Sequence, residues 1–264
     1  MTARPEGSAP VRKYLVVGGT SGIGAETVRL LAGLEGAAVV FSGRSAEAAA
    51  ELAASLEPRE RGRTVFVRAD VTRQGDMDAL FERVRALPGD LCGAFNAAGV
   101  AGGDGPLRGV PFHEADERGF DRVVEVNLKG AWRSLRGELA IMAAQGSGSI
   151  VNCSSVAGLR SADSMSASYT ASKHALIGLS RSLAVEYAPH GVRVNAVCPG
   201  VIDTPMLGGM REELLSDLRR KNPGARIGTP REVAESVVFL LSEKSGYISG
   251  AALTVDAGGL TGAL

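Results

Sequence analysis

Apolar strand segments alternate with helical segments along most of this chain, and this alternation constrains its fold more than any other feature. Tyr14–Val17, Ala38–Phe41 and Thr64–Val67 are short, largely apolar runs, each followed by a helical pattern. Strands that are apolar throughout are buried on both faces, as in a parallel sheet covered by helices. We therefore predict an α/β fold with a doubly wound, mostly seven-stranded parallel sheet (Rossmann-like) and helices on both faces.

The alternation continues towards the C-terminal end without a linker, an internal repeat or a shift in composition. The later strands are expected at Leu91–Phe95, Ser149–Cys153, Val192–Val197 and Ala252–Val255. A single domain over residues 12–264 is therefore favoured, preceded by a disordered tail over residues 1–11. Two longer segments, Gly99–Phe112 and Pro199–Gly228, break the alternation, and residues 201–228 of the second are expected to form a lid over a site.

Composition argues against several classes of function. The chain has 264 residues, 45% of them hydrophobic, which is enough for a large core, and its formal net charge of +0 gives no reason to expect a nucleic-acid partner. No apolar run approaches the ~18 residues of a membrane span, and no signal-peptide pattern opens the sequence. We therefore expect a cytoplasmic protein that has neither membrane nor nucleic-acid partners.

The cysteines and histidines do not suggest a metal site. Cys92, Cys153 and Cys198 lie in or beside apolar strands and form no Cys-x-x-Cys or Cys/His cluster. Cysteines in such places behave as small buried hydrophobes. The three histidines are scattered along the chain, and none is assigned catalytic work.

The first strand ends in a glycine-rich turn that favours nucleotide binding. Gly18, Gly22 and Gly24 follow the strand directly and open a helix, with the spacing Gly-x-x-x-Gly-x-Gly. Glycines at such a turn let the backbone approach a pyrophosphate at a helix N-terminus. Glycine-rich turns are common, and it is the position after the first strand of an alternating chain that indicates a dinucleotide.

The residues after the second strand bear on which nicotinamide cofactor is bound. An acidic residue there binds the ribose 2′-hydroxyl of NAD, whereas an arginine accommodates the 2′-phosphate of NADP. The chain has Ser42-Gly-Arg44 and no carboxylate before Glu47. We favour NADP(H) and keep NAD(H) as the alternative; an exposed Arg44 without a role is the competing interpretation.

A helix after the fifth strand presents Tyr169 and Lys173, which are four residues apart. Residues at this separation lie on the same helical face. A tyrosine beside a lysine ammonium loses its proton more easily, because the positive charge favours the phenolate. The pair is a candidate general acid/base, although a Tyr-x-x-x-Lys pattern alone is more often a surface helix pair.

Together these motifs resemble the short-chain dehydrogenase/reductase family in its short, single-domain form. The resemblance spans Val11 to Gly259, and its motifs occur in the family's order. They are Gly18–Gly24, Asp70-Val71, Asn96-Ala-Ala-Gly99, Asn127, Ser155, Tyr169 with Lys173, and Pro199-Gly200 with Thr204. The resemblance implies an NAD(P)(H)-dependent oxidoreductase, such as a ketoreductase, that interconverts a carbonyl and a secondary alcohol.

The resemblance implies four catalytic residues. Tyr169 would exchange a proton with the substrate oxygen, and Lys173 would assist it while holding the nicotinamide ribose. Ser155 would hydrogen-bond the substrate oxygen, and it is preferred to Ser154 because the family usually uses the second serine of the pair. Asn127 would kink its helix and anchor a water in a proton relay. The alternatives are a loop-capping hydroxyl for Ser155 and a polar residue satisfied within its helix for Asn127.

The resemblance also implies cofactor contacts and self-association. The expected cofactor-binding residues are Gly18, Thr20, Ser21, Gly22, Ile23, Gly24, Arg44, Asp70, Val71, Asn96, Ala97, Ala98, Gly99, Tyr169, Lys173, Pro199, Gly200, Ile202 and Thr204. Segments Tyr247–Gly250 and Val255–Gly259 resemble family segments near subunit contacts. A homotetramer or homodimer is therefore expected.

The chain departs from the family pattern in ways that bear on the substrate. Ser155 and Tyr169 are 169 − 155 = 14 residues apart, one more than the family's commonest spacing. Val17 stands where the family often has threonine, and Ala97 replaces the second asparagine of Asn-Asn-Ala-Gly. We expect the longer loop and the lid to decide the substrate.

The lid carries an apolar stripe at helical spacing: Met206, Leu207, Met210, Leu214, Leu215 and Leu218. The stripe suggests an apolar or extended substrate, although a lid helix buries one face in any case. The alternative function is a non-catalytic nucleotide-sensing module, but sensors of this kind often lose the tyrosine or the lysine. A third possibility is an epimerase or dehydratase with the same Tyr/Lys pair. It is less favoured, because such enzymes usually need a longer C-terminal substrate domain than the segment after Pro199 provides.

Overall fold

The seven predicted strands form one parallel sheet. The structure is a computed structural model that describes residues 11–102, 111–161, 165–208 and 210–261. The strands are β1 Arg12–Val17, β2 Ala37–Gly43, β3 Thr64–Arg68, β4 Asp90–Asn96, β5 Gly148–Cys153, β6 Val192–Pro199 and β7 Ala252–Val255. They pair in parallel in the order β3-β2-β1-β4-β5-β6-β7. The predicted fold class is confirmed.

Helices cover both faces of the sheet. They are α1 Gly22–Ala32, α2 Ala46–Ala54, α3 Pro58–Arg61, α4 Gln74–Ala86, α5 Glu117–Val124, α6 Ala131–Gln145, α7 Ala167–Tyr187, α8 Glu212–Lys221 and α9 Pro230–Leu241. Successive strand residues point to opposite faces. Val16 therefore packs with α1 and α9, whereas Leu15 packs with α4 and α6. Because both faces are covered, consecutive residues of β1, Tyr14–Val17, are all apolar and buried.

The Ala/Glu-rich run after Ser45 predicts a helix that is capped by Ser45 and extends to about Glu57, but helix α2 is shorter. Ser45 caps it as expected, accepting a hydrogen bond from the Ala48 amide at 3.1 Å. The pattern predicted a helix to about Glu57, which is wrong, because α2 ends at Ala54 and α3 begins separately at Pro58. Proline has no amide hydrogen to continue a helix, but it is well suited to begin one.

The sequence pattern also predicts one long helix over Phe120–Ala144 that carries Asn127, and in the structure this helix is interrupted. It begins earlier, at Glu117, and α5 and α6 are separated by a π-helical turn at Glu125–Gly130 that contains Asn127. Such widened turns occur inside helices mostly as single turns, frequently at functional sites. The deformation agrees with the kink that the family resemblance implies for Asn127.

Parts of the predicted outline lie outside the described residues. These are residues 1–10 of the expected tail and residues 103–110 of the segment after β4. All three cysteines are free; Cys198 is buried, whereas Cys92 and Cys153 are half-buried. None of the helices in the described ranges is long and apolar enough to cross a membrane.

Candidate active site

The carboxyl ends of the strands open onto a cavity of about 700 Å³. Strand order reverses between β1 and β4, and open α/β sheets bind ligands at such a switch point. The cavity is lined by the glycine turn after β1 and also by Ser155, Tyr169 and Lys173. Two motifs that are far apart in the sequence therefore face the same space.

The glycine turn has the geometry of a phosphate-binding cradle. Gly18 has φ +82°, and a Cβ atom placed on it would lie 2.5 Å from the backbone nitrogen of Ala98. The first turn of α1 carries no acidic residue, and the Ser21 side chain does not cap it. The first amides of α1 are therefore left for an anionic ligand, and the residues present fit the pyrophosphate of a dinucleotide.

Asp70, at the end of β3, is kept ionised by its surroundings. Burial raises its pKa, but hydrogen bonds from Thr72 and the charges of Arg44 and Arg73 outweigh that effect and hold the pKa below its usual value. The Thr72 amide and hydroxyl donate to Asp70 Oδ1 at 2.9 and 2.8 Å. Asp70 therefore presents a hydrogen-bond acceptor to the cavity.

Lys173 and Tyr169 are buried side by side. The Lys173 ammonium lies 5.5 Å from the centroid of the Tyr169 ring. It donates one hydrogen bond, at 2.7 Å, to the carbonyl oxygen of Cys153. An ammonium has three hydrogens, so two remain for other partners at the cavity. This geometry differs from that of a surface helix pair, because the two side chains are only 4% and 7% exposed.

The two adjacent serines have different surroundings. Ser154 Oγ donates to the carbonyl oxygen of Lys173 at 3.0 Å, which ties β5 to α7. Ser155 Oγ accepts from the Ala157 amide at 3.1 Å, so it caps the turn that follows and its hydroxyl hydrogen remains available. This difference favours Ser155 as the serine that contacts a substrate.

Asn127 lies behind the cavity wall. Its Nδ2 donates to the Val100 carbonyl at 2.8 Å and to Ser172 Oγ at 3.1 Å, and its Oδ1 accepts from the Val100 amide at 2.8 Å. A Cβ atom placed on Gly99 would lie 3.4 Å from Asn127 Oδ1 and 3.5 Å from Lys173 Nζ. Asn127 therefore joins the loop after β4 to α7 beside Lys173, while the expected water relay stays a prediction.

The structure brings nearly all the predicted cofactor-binding residues to the cavity. The exception is Asn96, whose side chain points away from it and bonds to Glu138 and Asn152 inside the protein. Sequence reasoning missed several lining residues, including Gly43, Val100, Arg122, Val126 and Met165. Arg122 and Val126 are one helical turn apart just before Asn127, and this spacing could have revealed them.

The lid contributes four of its six predicted apolar residues to the cavity. Met206, Leu207, Met210 and Leu218 line it, whereas Leu214 and Leu215 are half-buried elsewhere. At the end of α8, Asn222 Nδ2 donates to the Asp256 carbonyl at 3.2 Å. The loop between Ser155 and Tyr169 is described except for residues 162–164. In the described ranges, no group of three or more His, Cys, Asp or Glu side chains is placed to hold a metal.

Known proteins are similar to this chain over most of its length. A family model described as enoyl-(acyl carrier protein) reductase matches residues 17–260. The chain is 42% identical to cis-4-hydroxycyclohexanecarboxylate dehydrogenase of Sinomonas cyclohexanicum over 94% of its own length and 96% of that protein. It is 35% identical to 2,5-dichloro-2,5-cyclohexadiene-1,4-diol dehydrogenase of Sphingobium indicum, again over 94% and 96% of the two chains.

Solved structures also match. The crystal structure of a levodione reductase superposes with a TM-score of 0.87 at 32% identity, covering 96% of this chain and 99% of that one. The residues matched by the family model, 17–260, include the nucleotide turn, the Tyr169 helix and the lid. The chain is therefore an oxidoreductase enzyme that belongs to the short-chain dehydrogenase/reductase family.

Proposed function

We propose that the protein is an NADP(H)-dependent oxidoreductase that interconverts a ketone and a secondary alcohol through Asn127, Ser155, Tyr169 and Lys173. The observation that carries the proposal is the shared cavity, which is lined by the glycine turn and by the Ser155, Tyr169 and Lys173 side chains. Family members use NAD(P)(H) in general, and the bound nicotinamide supplies or accepts the hydride.

The protein's own residues handle the proton and hold the substrate. Ser155 donates its free hydroxyl hydrogen to the substrate oxygen and orients it. Tyr169 gives its hydroxyl proton to that oxygen during reduction and takes it back during oxidation. Lys173, with two free hydrogens and a positive charge, stabilises the tyrosinate and binds the ribose hydroxyls. The apolar surroundings of the tyrosine, Ala101, Ala157 and Met165, exclude water.

The proposal is tested by replacing Tyr169 with phenylalanine. We expect turnover to fall by at least ~10²-fold, because general acid/base help is worth about 10²–10⁴ in rate. Affinity for the cofactor should change little, since the aromatic ring is retained. A Tyr169→Phe enzyme with wild-type turnover would rule the mechanism out, and a fully inactive wild type on a ketone panel would favour the sensing module.

The end of β2 supports the preference for NADP(H). A Cβ atom on Gly43 would lie 2.6 Å from Thr20 Oγ1, so the Thr20 side chain occupies the space that an acidic residue at position 43 would need. The next residue, Arg44, is exposed and lines the cavity. An exposed guanidinium directly after β2, with no carboxylate in the sequence before Glu47, suits a 2′-phosphate.

We propose a compact, apolar cyclic ketone or its alcohol as the substrate. Val156 and Met165 line the cavity on the Tyr169 side, and Met206, Leu207 and Met210 line it from the lid. Thioether side chains adapt to irregular apolar shapes. Two relatives are named for alcohols on six-membered carbon rings. A panel of cyclic and open-chain ketones tests this, and higher kcat/KM for the open-chain members would contradict it.

We also propose that the protein is a homotetramer, and two apolar surfaces support this. The first has exposed Trp132 and Val185 on α6 and α7, which are 53% and 78% exposed. The second has Phe239, Tyr247 and Leu253 on and around α9 and β7, and β7 is an edge strand. Large exposed apolar side chains and open sheet edges are typical of surfaces that pair with another chain.

A further inference from the structure

A buried carboxyl group lies beneath the cavity and has no role in the proposed reaction. Glu138, on α6, is fully buried, and its Oε2 accepts a hydrogen bond from Asn96 Nδ2 at 3.0 Å. Asn96 Nδ2 also donates to Asn152 Oδ1 at 2.9 Å, and Asn152 donates to Ser180 Oγ at 2.9 Å. The chain of contacts therefore joins α6, β4, β5 and α7, the last of which carries Tyr169 and Lys173.

The donors in this network are too few if Glu138 is ionised. Both amide hydrogens of Asn96 are used, one for Glu138 Oε2 and one for Asn152 Oδ1. Two acceptors are left without a hydrogen-bond partner among the described residues, Asn96 Oδ1 and Glu138 Oε1. Leaving a buried polar atom unpaired costs about 1–3 kcal/mol, and more for a charged group. A hydrogen on Glu138 Oε1 would supply the donor that the network lacks, and Asn96 Oδ1 is an acceptor without another partner among the described residues.

The charges around Glu138 do not compensate for its ionisation. The other buried charged side chains in the described part of the molecule are Lys13 and Lys173. Lys13 donates to the carbonyls of Val84 and Leu87, and Lys173 to that of Cys153.

Charged groups on the neighbouring elements are also engaged elsewhere or lie near the surface. On β6, Arg193 donates to carbonyls at the end of α9. In the π-helical turn, Glu125 pairs with Lys129 and Arg133. The remaining charged side chains of α4, α6 and α7 lie at or near the surface. One of them, Asp76, accepts a hydrogen bond from the Asp70 amide. The hydrogen-bond partner of Glu138 is thus a neutral amide.

We propose that Glu138 is held as the neutral acid in the folded protein, and that its proton satisfies Asn96 and so positions the turn after β4. That turn is also held by Val17, whose carbonyl accepts from the Ala97 and Ala98 amides at 2.8 and 3.1 Å. Ala97, Ala98 and Gly99 form part of the cavity wall. Glu138 is thereby a positioning residue, and it acts on the site through Asn96.

The pH dependence follows with a definite sign. Burial raises the pKa of Glu138 from its ordinary 4.5 to about 8, although the hydrogen bond from Asn96 acts in the opposite direction. The neutral acid therefore contributes its full stabilisation at pH values below the pKa that Glu138 has in the unfolded protein. This stabilisation is lost as the pH rises through the pKa that Glu138 has in the folded protein. In Glu138→Gln, the new side chain has nearly the same shape as glutamic acid. Its amide nitrogen always has hydrogens to donate, and it does not titrate.

The first test compares urea unfolding of the wild type and Glu138→Gln across this pH range. We expect the ratio of their unfolding constants to shift in favour of Glu138→Gln by up to about tenfold per pH unit between the two pKa values. The control is Glu82→Gln on the exposed side of α4, which should shift little. A ratio that does not change with pH would overturn the proposal and indicate an ionised Glu138 solvated by buried water.

A second test needs no variant. In wild-type protein labelled with ¹³C at the glutamate carboxyl carbons, one signal should titrate near pH 8. The absence of any glutamate signal that titrates near pH 8 would refute the neutral acid, even if Glu138→Gln did not fold.

The effect on the cofactor, which rests on the proposed function, is measured separately. NADPH affinity should fall by severalfold more in the wild type than in Glu138→Gln as Glu138 ionises. Equal loss in both proteins would refute the positioning role while leaving the neutral acid intact. Absence of NADPH binding in both proteins at every pH would instead count against the proposed function.

Discussion

Ser154 and Ser155 are neighbours in the sequence, and their hydrogen bonds predict that only one of them is needed for catalysis. Ser155→Ala removes the hydroxyl that is free for the substrate, so kcat should fall by about 10²-fold, the loss typical of a donor that stabilises the reacting oxygen. It should also cost about 1 kcal/mol of stability, because the Ala157 amide loses its acceptor. Ser154→Ala removes the bond to the Lys173 carbonyl and should cost about 1 kcal/mol of stability. Steady-state kinetics and urea unfolding of both variants measure the two effects, and the reverse assignment would contradict the interpretation.

Arg44 carries the prediction for cofactor choice. Arg44→Ala should weaken NADP binding by tenfold or more, because a charge-assisted hydrogen bond contributes about 1.5–3 kcal/mol, and it should leave NAD binding nearly unchanged. Arg83→Ala, on the exposed side of α4, is the matched control. Dissociation constants from fluorescence titration decide the matter, and equal NADP and NAD affinities in wild type and variant would remove the basis for the preference.

Helices α4 and α6 pack closely where Gly137 faces the Phe81 ring. A Cβ atom on Gly137 would lie 2.3 Å from the Phe81 ring, so Gly137→Ala should destabilise the protein by about 1–3 kcal/mol through overpacking. Gly75, in the first turn of α4, has open space around its Cβ position. Gly75→Ala should therefore stabilise by up to about 1 kcal/mol, because alanine favours helix. Thermal unfolding of the two variants should move in opposite directions, and shifts of the same sign would contradict this packing.

Local sequence motifs predict where some helices begin, but they do not predict every interruption of a helix. Ser45 and the Thr229/Glu232 pair mark helix starts by their own side chains, and the capping bonds are present. The break between α5 and α6 had no such local signal, because the hydrogen bonds of Asn127 go to Val100 and Ser172, which are distant in sequence. Only the packed structure brings these partners together.

Self-association gives the prediction for the whole molecule. If both apolar surfaces form contacts, Val185→Glu on α7 and Leu253→Lys on β7 should each convert a tetramer into a dimer, and the double variant should be a monomer. A charge placed in a packed interface is costly because it must be desolvated. Light scattering coupled to gel filtration measures the mass. A wild type that is already monomeric, or variants with unchanged mass, would refute the proposed surfaces.

The parallel sheet, the order of its helices and strands, and the residue types of the candidate site could all be predicted from the sequence. Strand burial and helix capping depend on near neighbours, and family motifs are readable as strings of residues. Only the tertiary structure decided which serine is free, that Asn96 turns away from the cavity, and that it meets Glu138 from another helix. These features depend on hydrogen bonds between residues that are far apart in the chain, and on the burial of those residues. The periodicity of apolar residues along a sequence does not indicate which distant residues will pair.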